Sequence, residues 1–151
     1  MKAMGKFLLS VLLVTLFAGC DDKELNSSDL TINYGTSFGF CIGFCNRSIS
    51  IRESKIDFAK SGRDSATKVC DKAASNEEWN LLVKSIDYIK FSKLDTIIGC
   101  PDCADGGAEW IEIKSGDKKH KVVFEYGHAP KESEAYIETL RSELKSFEHC
   151  K

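Results

Sequence analysis

Seven cysteines in a chain of 151 residues constrain this sequence more than any other feature. One of them, Cys20, stands apart. It follows an apolar run over residues 7–18, which itself follows the basic residues Lys2 and Lys6. A positive start, a short hydrophobic core and the small residues Ala18 and Gly19 before a cut make a secretory signal. The run is about twelve residues, short of the ~20 that a spanning helix needs. In an exported chain the other six (Cys41, Cys45, Cys70, Cys100, Cys103 and Cys150) form an even set. Such a set reads as a disulfide framework, with fifteen possible pairings that spacing alone does not resolve.

The stretch Leu16-Phe17-Ala18-Gly19-Cys20 resembles the lipobox of bacterial lipoproteins. That resemblance implies removal of residues 1–19, a diacylglyceryl thioether on Cys20 and acylation of the new amine. Each buried methylene contributes ~0.8 kcal/mol, so two or three chains on one residue hold a protein to its membrane for good. The next residues, Asp21-Asp22-Lys23-Glu24, resemble the acidic export signals of surface lipoproteins in Bacteroidota-type bacteria. In enterobacteria an Asp at this position marks inner-membrane retention instead. The implied location is the cell envelope, on the periplasmic face or the cell surface. Read as plain chain, the polar residues 20–29 are a lipidated cysteine followed by a flexible tether.

Residues 30–151 have a length suited to one domain. The formal net charge is −2, and loss of Lys2 and Lys6 with the signal makes it more negative. That argues against a nucleic-acid partner, which wants a basic face.

Within this domain Leu30, Ile32 and Tyr34 alternate with polar neighbours, as do Ile49 with Ile51 and Ile56 with Phe58, which predicts strands with a hairpin corner at 52–55. The glycine- and phenylalanine-rich stretch 35–45 breaks any period and reads as an irregular segment pinned by Cys41 and Cys45, its aromatics packed on the sheet. A further short strand is expected at 66–70. Ser75-Asn76-Glu77-Glu78 is a capping box, and Trp79, Leu82, Val83, Ile86 and Ile89 share one helical face, predicting a helix over 76–88. Strands around Ile111 and Val122 form a second hairpin, and Tyr136, Ile137, Leu140, Leu144 and Phe147 mark a last helix. The expectation is an α+β domain: an antiparallel sheet of about five strands covered by two helices and stapled by disulfides.

Chemistry, if present, belongs to the cysteines. Cys100-Pro101-Asp102-Cys103 has thioredoxin-like spacing, but Ala104-Asp105-Gly106-Gly107 leads into a strand rather than a helix, and two nearby carboxylates oppose a thiolate. With Cys41 and Cys45 the pair would supply four thiolates for zinc or copper(I). The structural alternative is that both pairs staple loops, while a bridge from Cys70 to Cys150 ties the last helix to the strand before the first. Asp102, Asp105, Glu109 and Glu112 read as a solvated acidic patch around the second pair. His120, His128 and His149 fit no metalloprotease spacing, and no nucleophile elbow occurs.

The stretches 38–51 and 110–144 resemble uncharacterised Bacteroidota-type lipoprotein domains, in which a glycine, cysteine and aromatic segment leads into a strand and a later hairpin precedes a C-terminal helix. This implies fold and location, and no activity. The expectation is a membrane-anchored, non-catalytic envelope lipoprotein without cofactor, resident metal or catalytic residue, which binds an envelope protein or ligand. The alternative is a thiol-based protein, a disulfide oxidoreductase or a zinc or copper binder, using Cys41, Cys45, Cys100 and Cys103.

Overall fold

Alternation builds the sheet from its centre outwards. Thr31–Ser37 (β1) and Asn46–Arg52 (β2) pair antiparallel with Ile32 opposite Ile51 and Tyr34 opposite Ile49, so four buried side chains meet on one face. A computed structural model describes residues 25–150. The expected leader, Cys20 and the acidic stretch after it lie outside the described residues. Lys55–Ser61 (β3) continues the same face with Ile56 and Phe58, and Lys68–Ala73 (β4) adds Cys70 opposite Phe58 at the edge.

The capping box forms as the sequence requires: Ser75 Oγ accepts from the Glu78 amide, while the Glu78 carboxylate accepts from the Ser75 amide at 2.9 Å. It opens Asn76–Ser85 (α1), which is followed by a one-turn helix, Tyr88–Phe91 (α2). The chain then passes through Ile97–Ile98 (β5), Ala108–Ser115 (β6) and Lys118–Glu125 (β7), and ends in Glu134–Lys145 (α3). The strand order is β4-β3-β2-β1-β6-β7-β5, antiparallel throughout except for the parallel β5–β7 pair. Trp79 and Leu82 of α1, Phe91 of α2, and Tyr136, Ile137 and Leu140 of α3 bury themselves on the apolar face. The opposite face carries Asn33, Ser48, Ser50 and Asp57 and stays wet, as one side of an antiparallel sheet can. Among the described residues no helix is long and apolar enough to cross a membrane.

The class is therefore α+β with a mostly antiparallel sheet, but it has seven strands and three helices where about five and two were expected. The strand with no counterpart in the sequence pattern is β5, two residues long and too short to carry a period. The expected 76–88 helix breaks because Ile86 is extended (φ −82°, ψ 116°) and Asp87 caps a new turn. The tether also ends earlier than residue 29. Asn26 caps a 3-10 turn at Ser27–Asp29, its amide donates to Ser115 Oγ at 2.9 Å, and Leu30 behind it is 2 % exposed.

Candidate functional site

The core face of the sheet ends in a polar row. Lys60 pairs with Arg47, Arg47 with Thr36, and Thr36 with Glu109, so one register line across β3, β2, β1 and β6 carries three charges where the lines beside it carry isoleucine and phenylalanine. Each of these residues is in phase with its strand's buried apolar positions, which aims its side chain to the helix-covered side.

At the closed end of this row Glu109 is 1 % exposed. Arg141, from α3, grips it with Nε and Nη2, each at 3.0 Å from a carboxylate oxygen. The Tyr34 hydroxyl donates to it at 2.7 Å and the Gly127 amide at 2.9 Å. A buried carboxylate persists only when it is paired and bonded in this way. Burial, and then the bond to Glu109, push the Tyr34 hydroxyl far above the ordinary tyrosine range. Burial works against the Arg141 charge, yet the bonds to Glu109 hold its pKa above the ordinary arginine value. Both carboxylate oxygens of Glu109 are engaged. It fixes α3 to the end of the sheet.

At the open end the row floors a cleft of about 790 Å³. One wall is the C-terminal part of α3 and the tail beyond it, with Leu144, Lys145, Phe147 and Glu148. The other is the 38–45 loop, with Phe38, Ile42 and Phe44. The loop is braced at several points. Cys41 and Cys45 are bonded to each other, and the Phe38 amide donates to the Cys45 carbonyl at 3.1 Å. Lys60 Nζ sits 4.7 Å from the centre of the Phe44 ring. Phe38 packs its ring against Tyr126, centroids 4.9 Å apart. It also fills the space where a Cβ on Gly107 would stand, and Gly107 has a φ of +83° as well. Gly62, from the turn after β3, lies so close under the Gly43 carbonyl that no side chain fits.

The two cysteine loops meet here. The Gly39 amide donates to Asp102 Oδ1 at 3.2 Å, and the Cys100 amide donates to Glu125 at 2.6 Å. Cys100 is bonded to Cys103, and Cys70 to Cys150. The four loop cysteines are thus joined within each pair, with no thiolate left to share across them. Among the described residues no group of three or more His, Cys, Asp or Glu side chains is set to hold a metal. Cys103 opens a three-residue 3-10 turn that leads to β6, so no α-helix dipole faces its sulfur.

The expected acidic patch does not exist. Glu109 faces the core, while Glu112, three residues on and in the opposite phase, faces the wet side, where it meets Lys114 at 2.8 Å, Lys119 at 2.9 Å and the Asn33 amide. The aromatic loop also packs less than expected: Phe38 and Phe44 are half-buried, but Phe40 is 78 % exposed and Ile42 fully so. Arg141, Arg47 and Lys60 were not singled out from the sequence, and Glu109 was read as part of an acidic surface. For the three on strands the signal was phase: a charged residue two positions from a buried isoleucine or phenylalanine belongs to the inner face. No protein-family model matches this chain, and no curated protein matches it.

Proposed function

We propose that this chain is an exported lipoprotein, anchored through Cys20, whose folded domain binds an envelope ligand in the cleft beneath the 38–45 loop without catalysing a reaction. The observation that carries the reading is Ile42, fully exposed on a loop clamped by the Cys41–Cys45 bridge and braced against three other segments over a cleft. An apolar side chain held rigidly in water gains nothing in the free protein. It gains when a ligand covers it, and rigidity lowers the ordering cost of that event. The buried carboxylate is fully occupied and no histidine lines the cleft, which favours binding over chemistry. For the thiol-based alternative, no α-helix begins at Cys100 or Cys103 to favour a thiolate there.

Two experiments test the two halves of this proposal. Expressed with its leader in a Gram-negative host, the chain is expected in the membrane fraction, with the intact mass of residues 20–151 plus a diacylglyceryl and an acyl group. Cys20→Ala is expected in the soluble fraction or as uncleaved precursor. Recovery of unmodified chain in the soluble fraction with Cys20 intact rejects the anchor. For the cleft, the neutral dye N-phenyl-1-naphthylamine is expected to bind saturably at one per chain. Ile42→Ser should weaken it several-fold while the circular dichroism spectrum is unchanged. Absence of saturable binding by this dye and by its sulfonated analogue rejects the site.

A further inference from the structure

We infer that the ligand of this cleft is a small organic anion with an apolar body, its charged end toward Arg47 and Lys145 and its body against Ile42, Phe44 and Phe147. This inference names the ligand class for the site proposed above and rests on that reading.

Charge comes first. The cleft is lined by four cations, Arg47, Lys60, Arg141 and Lys145, and by two carboxylates, Glu109 and Glu148. Glu109 is consumed by Arg141, Tyr34 and the Gly127 amide, so that pair cancels and presents no acceptor to a ligand. Lys60 is turned toward the Cys150 carbonyl and the Phe44 ring. Arg47 and Lys145 have no carboxylate within ion-pairing distance among the described residues. Glu148, exposed on the tail, is the one remaining negative group on the lining. A chain with a formal net charge of −2 thus gathers a local surplus of two positive charges in one concavity. Low-dielectric walls focus such a field into the cleft, where it raises the local concentration of anions.

Shape and polarity narrow the class. A volume of about 790 Å³ falls within the ~300–1,000 Å³ typical of small-molecule sites, in which apolar walls hold the body and a few polar groups fix orientation. The apolar wall is present: Ile42 is fully exposed, Phe44 is half-buried beside it, and Phe147 stacks on Phe58 with centroids 5.2 Å apart to close the back. A bare inorganic anion would leave that wall wet. A neutral apolar molecule would leave Arg47 and Lys145 without a partner. A carboxylate, sulfonate or phosphate on a hydrocarbon or aromatic body satisfies both.

The test pairs two dyes of nearly the same apolar body, 1-anilinonaphthalene-8-sulfonate and neutral N-phenyl-1-naphthylamine, titrated into the folded chain with its three disulfides intact. The sulfonate is expected to bind at one per chain at least tenfold tighter than the neutral dye, more weakly as salt rises, and to be displaced by dodecanoate but not by dodecanol or inorganic phosphate. Arg47→Ala/Lys145→Ala should cost the sulfonate tenfold or more and leave the neutral dye unchanged, while Lys93→Ala, remote from the cleft, changes neither. Equal affinity of the two dyes, unmoved by the double variant, overturns the anion assignment and leaves an apolar binding site standing. Binding of neither dye overturns the site itself.

Discussion

Replacing Cys70 and Cys150 together by alanine is expected to lower the unfolding free energy by about 3–4 kcal/mol and the melting temperature by roughly 10–15 °C. The reason is the length of chain the bridge closes. Cys70 and Cys150 are 80 residues apart, whereas Cys41–Cys45 and Cys100–Cys103 span four and three. In the chain-entropy account the long loop removes on the order of 4–5 kcal/mol of disorder from the unfolded ensemble, against about 2 kcal/mol for each short one. The native side adds to this. Cys150 is 8 % exposed and belongs to the core, and the bridge pins a tail that carries Phe147 onto Phe58 of β3. Urea denaturation of the non-reduced proteins, with midpoint and slope fitted separately, gives the measurement. Cys100→Ala/Cys103→Ala serves as the comparison and should lose no more than half as much. Equal losses would mean that loop length does not govern stability here. The same tail forms one wall of the cleft, so losing the long bridge should also weaken dye binding.

The sequence spelled out those elements whose local and tertiary preferences agree. Ser75 and Glu78 cap α1 because the cap satisfies amides that no packing partner reaches, and the β2–β3 hairpin follows from Ile49, Ile51, Ile56 and Phe58 finding one face. Where tertiary contacts decide, the chain gave little warning. Ile86 and Ile89 continue a helical period, yet the chain is extended at Ile86 and restarts at Asp87, leaving Phe91 buried and Ile89 exposed. β5 exists because Ile97 and Ile98 run beside Val123 and Phe124, a pairing set by the neighbour. The site was hidden for a different reason. Glu109 lies close in sequence to Asp102 and Asp105, so composition groups the three as one acidic surface. Its phase with Ile111 and Ile113 groups it with the core instead, and phase is the physical determinant because successive strand residues face opposite sides. Arg141, beside Leu140 and four residues after Ile137, borders the buried stripe of α3 for the same geometric reason.

Glu109→Ala is expected to cost about 3–5 kcal/mol, the largest single-residue loss in the domain, because it strands three donors at once. Arg141 would keep its charge in a half-buried position with only Glu138 near it, and the Tyr34 hydroxyl and the Gly127 amide would lose their acceptor. Arg141→Met is expected to cost nearly as much, since it leaves a carboxylate that is 1 % exposed with no counter-charge. The informative experiment is the cycle. If the two charges chiefly compensate each other's burial, Glu109→Leu/Arg141→Met should fall well short of the sum of the losses of Glu109→Leu and Arg141→Met measured singly, because an apolar pair of similar volume has no desolvation cost to offset. What remains in the double variant reflects the Tyr34 hydroxyl and the Gly127 amide, which still lack their acceptor, and adding Tyr34→Phe should recover part of it. Additive single losses would show instead that the two residues act on separate parts of the structure. Dye affinity offers a second readout. Because the Glu109–Arg141 pair cancels its own field, removing both charges should leave the preference for the sulfonate dye intact, whereas Arg141→Met alone exposes Glu109 to the cleft and should repel it. A variant in which charge balance, not cavity shape, sets the affinity would tie the buried pair to what the cleft accepts.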